Sequence, residues 1–129
     1  MMWHDKLLKN FVRSRGFMTM VDLFADEDIP ARFILFDTKS HLQRATKNKN
    51  QQVIGTYYKP SRVEEFMECL GVVCLCVDYI GAGIFNHELF HMAEHLQEQG
   101  WESEKIADTI QDITNRFWWW FKRMFEERE

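Results

Sequence analysis

Apolar residues recur at helical spacing at the start of the chain, where Trp3, Leu7, Leu8, Phe11 and Val12 predict an amphipathic helix. "FADEDIPA" is polar punctuation around Pro30, and "RFILFD" at 32–37 then reads as a buried strand. "TKSHLQRATKNKNQQ" shows no apolar period and reads as a loop. A second strand follows in "VIGTYY" at 53–58, rich in aromatic and β-branched residues. "PSRVEEFMECL" opens on Pro60 and Ser61, as short helices do. "GVVCLCVDYI" at 71–80 is the strongest strand pattern in the chain and is expected at the centre of a sheet.

The glycines of "GAG" at 81–83 break that strand, and Asn86 is placed to cap a helix running to Gln99 and stopping at Gly100. Ser103 is placed to cap a last, long helix. Its apolar stripe is Ile106, Ile110, Ile113, Phe117, Trp120 or Phe121, and Met124. No internal repeat or linker interrupts this order. The pattern predicts one α+β domain over 1–129: a short mixed sheet, then a helix carrying "HELFH", then a long C-terminal helix.

Composition narrows the function classes. Hydrophobic residues are 46% and charged residues 28% of the 129, which suits a globular chain with one core rather than a disordered one. A formal charge of −4 argues against a protein that coats nucleic acid. The basic residues Lys39, Arg44, Lys47 and Lys49 have no interleaved aromatics to stack bases, so nucleic acid is not expected as a partner. No apolar run reaches the roughly 18 to 20 residues of a membrane span. "MMWHDKLLKNFVRSRG" mixes charge into its apolar positions and does not read as a signal peptide. Cys69, Cys74 and Cys76 form no even framework and no CxxC, so free thiols in a reducing cytoplasm are expected.

The chemistry concentrates in "FNHELFHMAEH" at 85–95, which holds three of the five histidines. His87 and His91 are four apart and share one face of a helix. Their imidazoles can converge on one ion at roughly 2.0–2.1 Å. Glu88 points partly to the same side, able to take a proton from water that zinc has made more acidic as that water attacks a carbonyl. Two imidazoles and a carboxylate suit zinc first, without excluding iron, cobalt or nickel. His95 is the next histidine, but eight residues from His87 is about 12 Å along a helix axis, too far for one ion. It is expected at the rim of the site. The third ligand is expected on the last helix: if Gly100 lets the chain reverse, Glu104 can meet the ion. Asp108, one turn on, can then accept the free N–H of a ligating imidazole. Glu102 and Asp112 are rivals, and the alternative reading of this acidic start is a solvated helix terminus.

"HELFH" followed by "EKIAD" resembles the gluzincin type of zincin metallopeptidase. The resemblance covers about 71–121 and extends to compact zincin-like proteins of bacteria and their phages. It implies His87, His91 and Glu104 as zinc ligands, Glu88 as general base and Asp108 as support. It also implies a sheet whose edge strand holds an extended peptide substrate. The interval from His91 to Glu104 is shorter than in thermolysin-like enzymes, and no motif supplies the oxyanion stabiliser. Tyr79, Tyr57, Tyr58 and His41 are available.

"RFWWWFKRMF" at 116–125 puts three consecutive tryptophans on a helix, so at least one must be partly exposed. That surface suits self-association or a protein partner better than a membrane, because Glu126, Glu127 and Glu129 crowd the end. The expectation is a cytoplasmic zinc peptidase, a hydrolase acting on a protein or peptide. The alternative is a zinc-stabilised, non-catalytic assembly protein that uses the tryptophan helix.

Overall fold

The computed structural model describes residues 18–25, 29–47, 52–59 and 69–125. Within them the chain forms β1 (Met18–Phe24), β2 (Pro30–Phe36), α1 (Lys39–Ala45), β3 (Gly55–Tyr58), β4 (Gly71–Cys76), a 3-10 turn at Val77–Tyr79, α2 (Ala82–Glu98) and α3 (Ser103–Phe125). The sheet order is β1-β2-β4-β3. The central β2 and β4 run parallel, in register from Ala31↔Gly71 to Phe36↔Cys76. β1 and β3 flank them antiparallel, β3 through Gly55↔Leu75 to Tyr58↔Val72. The α+β expectation is met, with β4 central and buried at every position.

The two-residue period of the strands divides one run of apolar residues into two cores. Phe33, Leu35, Val73 and Leu75 face α2 and α3, while Ile34, Phe36, Val72, Cys74 and Cys76 face α1. A sheet covered on both faces demands continuous apolar strands, and "RFILF" and "GVVCLC" are such strands. α2 packs over β3 and β4; α3 packs beside α2 and over β1. Phe33, Phe85 and Phe117 join the layers, with ring centroids 5.8 Å apart for Phe33–Phe85, 5.0 Å for Phe33–Phe117 and 4.6 Å for Phe85–Phe117. Rings at these separations attract beyond the area they bury.

Several elements differ from the reading of the sequence. The stretch taken as a loop after Asp37 contains α1. Seven residues are too few to show a period, but Leu42 and Ala45 lie one turn apart and both are buried. Thr38 Oγ1 accepts the His41 backbone N–H at 3.1 Å, and Asp37 Oδ1 accepts His41 Nδ1–H at 2.8 Å, so the polar start of the helix is satisfied locally. β1 had no expectation at all. α2 begins at Ala82 with Gly81 at its cap, one turn before Asn86, so Asn86 is interior. Its end does fall at Gly100, whose φ of +86° reverses the chain without a Cβ penalty. The helix expected at Trp3–Val12 lies outside the described residues, as does nearly all of the one expected over 60–70.

The tryptophans separate as expected. Trp118 packs on Phe85 at 5.3 Å and Trp120 on Phe117 at 5.8 Å, while Trp119 is 63% exposed beneath Arg123. No described helix is long and apolar enough to cross a membrane.

Gly71 starts β4 at φ +131°, and a Cβ there would meet the Tyr57 ring at 2.3 Å. Tyr57 cannot easily retreat, because its hydroxyl donates to Leu70 O at 2.7 Å. Gly71→Ala should therefore cost about 3 kcal/mol of stability, the sum of backbone strain and overpacking. Urea unfolding measures this, and a loss within error of zero would contradict the packing described.

Candidate metal centre

α2 has a distinct residue type on each side. Phe85, Leu89, Met92 and Leu96 recur at three- and four-residue steps and fill the core. The adjoining side turns towards β3, at one edge of the described sheet, and carries His87, Glu88, His91, Glu94 and Glu98. A cavity of about 460 Å³ separates these residues from Gly55, Tyr57 and Lys59 of the β3 segment. A second hollow of about 420 Å³ shares Gly55, His87 and Glu88 and continues past Ile84 and Gly83. The histidines thus stand along a groove that extends to either side of Glu88.

His87, Glu88 and His91 each offer a ligand atom, all within 4.8 Å of one another. The two Nε2 atoms are 3.3 Å apart. Two nitrogens bound tetrahedrally at ordinary zinc–nitrogen lengths sit about 3.3–3.4 Å apart, so the pair matches such an ion without rearrangement. The chemistry of the donors fits as well: neutral imidazoles suit zinc, and the Glu88 carboxylate stands beside them. The same separation also allows one imidazole to donate to the other in the metal-free protein.

Glu88 is only 3% exposed, and it lies over Gly55. A Cβ on Gly55 would come within 2.8 Å of Glu88 Oε2. The strand must therefore carry glycine where the carboxylate crosses it. Burial pushes the Glu88 pKa above the usual carboxylate value, and the neighbouring His87 and His91 partly offset that rise. A carboxylate held this way accepts a proton more readily than one in water, as a general base should.

His91 has a second contact. Its Nδ1 lies 3.2 Å from Glu94 Oε1. This carboxylate, one turn along the same helix, had no part in the sequence reading, although the His91-to-Glu94 spacing of three would have revealed it.

The expected third ligand is not brought to the pair. Glu104 and Asp108 are exposed on α3, and no described carboxylate beyond Glu88 joins the group of His87 and His91. Two facts of packing explain this. Phe85 against Phe117 sets the register of two antiparallel helices, which puts Glu104 level with Glu98, about 10 Å along the axis beyond His91. α3 also lies on the β1 side of α2, opposite the groove. The rivals Glu102, just ahead of α3, and Asp112, within it, are likewise absent from that group.

His95 is half-buried, its Nδ1 is buried without a hydrogen-bond partner among the described residues, and it does not line the cavity. Burial, reinforced by Lys59, lowers its pKa against a small opposing effect of Glu98. Tyr79 lies outside the groove on the 3-10 turn, under the Lys39 ammonium at 5.2 Å. Tyr57 borders the cavity, but its hydroxyl is committed to Leu70 O. No protein-family model, curated protein or solved structure matches this chain.

Wild-type protein should bind one zinc ion; His87→Ala and His91→Ala should lose it, whereas Glu104→Ala and Asp108→Ala should retain it. Metal analysis after gel filtration reads this directly. Loss of zinc in Glu104→Ala would mean that the two helices pack in a different register. A second expectation concerns Glu88 without metal. Its raised pKa means the folded state holds the proton more tightly than the unfolded chain does, so stability falls as pH climbs through that pKa. Glu88→Gln has no such loss. In chelator-treated melts from about pH 4 to about pH 8, its advantage over wild type should appear as pH rises past the carboxylate range. A constant difference would refute it.

Proposed function

We propose that this protein is a zinc-dependent peptidase that hydrolyses a peptide bond held in the groove between β3 and α2. The observation that carries the reading is the pairing of two Nε2 atoms 3.3 Å apart with a buried carboxylate facing the same cavity. His87 and His91 would hold the ion. Bound there, zinc supplies a Lewis acid that polarises a carbonyl and makes water more acidic.

The rest of the chemistry belongs to the chain. Glu88 accepts a proton from the attacking water, a step that burial favours by making its carboxylate more basic, and then returns that proton to the leaving amine. Gly55 lets that carboxylate lie against the strand rather than swing into solvent. Among the described residues β3 pairs with β4 alone, so its outer edge offers backbone N–H and C=O groups to an extended chain. Hollows on both sides of Glu88 suit a substrate that continues past the scissile bond in both directions.

A zinc ion that only stiffened the fold would favour a closed four-ligand site. The open groove beside the two histidines counts against that alternative.

Zinc-loaded wild type should cleave an unfolded protein or mixed peptides. Glu88→Gln should retain zinc yet cleave about 10²–10⁴-fold more slowly, the usual worth of a general base. Equal cleavage by the two proteins, or none by wild type carrying one zinc, would refute the assignment.

A further inference from the structure

Glu94 and Glu98 are carboxylates four residues apart on the groove side of α2, and they make different contacts. Glu98 Oε2 accepts from Lys59 Nζ at 3.2 Å, across the groove. Glu94 Oε1 lies 3.2 Å from His91 Nδ1, on its own helix. A carboxylate only accepts, so this contact requires His91 to carry its proton on Nδ1. The lone pair is then on Nε2, the atom 3.3 Å from His87 Nε2. In the metal-free protein the chain of donors runs one way: His87 Nε2–H donates to His91 Nε2, and His91 Nδ1–H donates to Glu94.

We infer that Glu94 is the positioning residue of the metal centre, holding His91 in the tautomer and ring orientation that present Nε2 to the ion. The inference rests on the metal reading above but not on the peptidase activity. It assigns to a residue of the same helix the supporting role expected of Asp108. Holding a ligating imidazole by its second nitrogen is a general requirement of metal sites, and removing such a partner costs roughly 10–100-fold in affinity. The three-residue spacing supplies that partner without any tertiary contact. Only His87 must then change tautomer for both Nε2 lone pairs to face one ion, and His87 is exposed, so solvent can relay its proton.

The contact is not a stability device. The side chains of His91 and Glu94 are 45% and 50% exposed, and ion pairs of that exposure contribute little to folding. Glu94→Ala should therefore fold normally, which makes its effect on metal interpretable.

The test measures zinc affinity by chelator competition, together with the ¹⁵N shifts of the His91 ring in metal-free protein at about pH 8. It compares wild type, Glu94→Gln, Glu94→Ala and Glu98→Ala. Wild type should show the Nδ1–H form of His91. Glu94→Ala should lose that bias and bind zinc roughly 10–100-fold more weakly. Glu94→Gln keeps an oxygen acceptor and should lie between the two. Glu98→Ala, which removes a groove carboxylate bonded to Lys59, should match wild type in both readouts. A wild-type His91 protonated on Nε2, or unchanged zinc affinity in Glu94→Ala, would overturn the role. If wild type binds no zinc, the metal reading fails and the role fails with it. If zinc binds as expected but no peptide is cleaved, only the peptidase reading fails.

Discussion

The candidate site depends on the close approach of α2 to the edge strand β3, where the Glu88 carboxylate lies against Gly55. The helix is held there by Phe85, Leu89, Met92 and Leu96, buried against the sheet and α3. Those side chains leave the helix little freedom to rotate about its axis. His87 and His91 are thereby directed along the groove, and Glu88 is forced down onto the strand. Any residue but glycine at position 55 would have to displace either the carboxylate or the strand.

That packing buries a group that prefers to be charged, which opposes folding unless something compensates. The compensation visible here is electrostatic: the two imidazoles draw the Glu88 pKa down while burial raises it. A cation between the imidazoles would strengthen the same attraction. The site is therefore a local conflict in an otherwise consistent fold, of the kind expected where chemistry rather than stability determines the residues.

Support for the site is local. Glu94 reaches His91 from the same helix, and Glu88 and His87 are chain neighbours within it. α3 contributes instead to the core, through Ile113 and Phe117, and its tryptophans share the work of filling it, Trp118 and Trp120 inward and Trp119 outward. The long acidic start of α3 then has the solvated character that its exposure indicates. A small domain can bring two imidazoles together in this way because an i, i+4 spacing needs only one well-anchored helix.

Local pattern alone determined much of this protein. Continuous apolar runs specified β2 and β4, the four-residue step specified that His87 and His91 would meet, and Gly100 marked where α2 ends. These are short-range properties, decided by side-chain period and backbone freedom within a few residues. The pattern missed α1, whose seven residues are too short to show a period, and β1, whose two faces are both apolar enough to hide the alternation. Tertiary structure alone decided the flank and register of α3, because they follow from how Phe33, Phe85 and Phe117 nest across three elements distant in sequence. That nesting keeps Glu104 and Asp108 away from the histidines, and no spacing within the chain could have shown it. It equally decided that Gly55, more than thirty residues from Glu88, would be the surface on which that carboxylate rests.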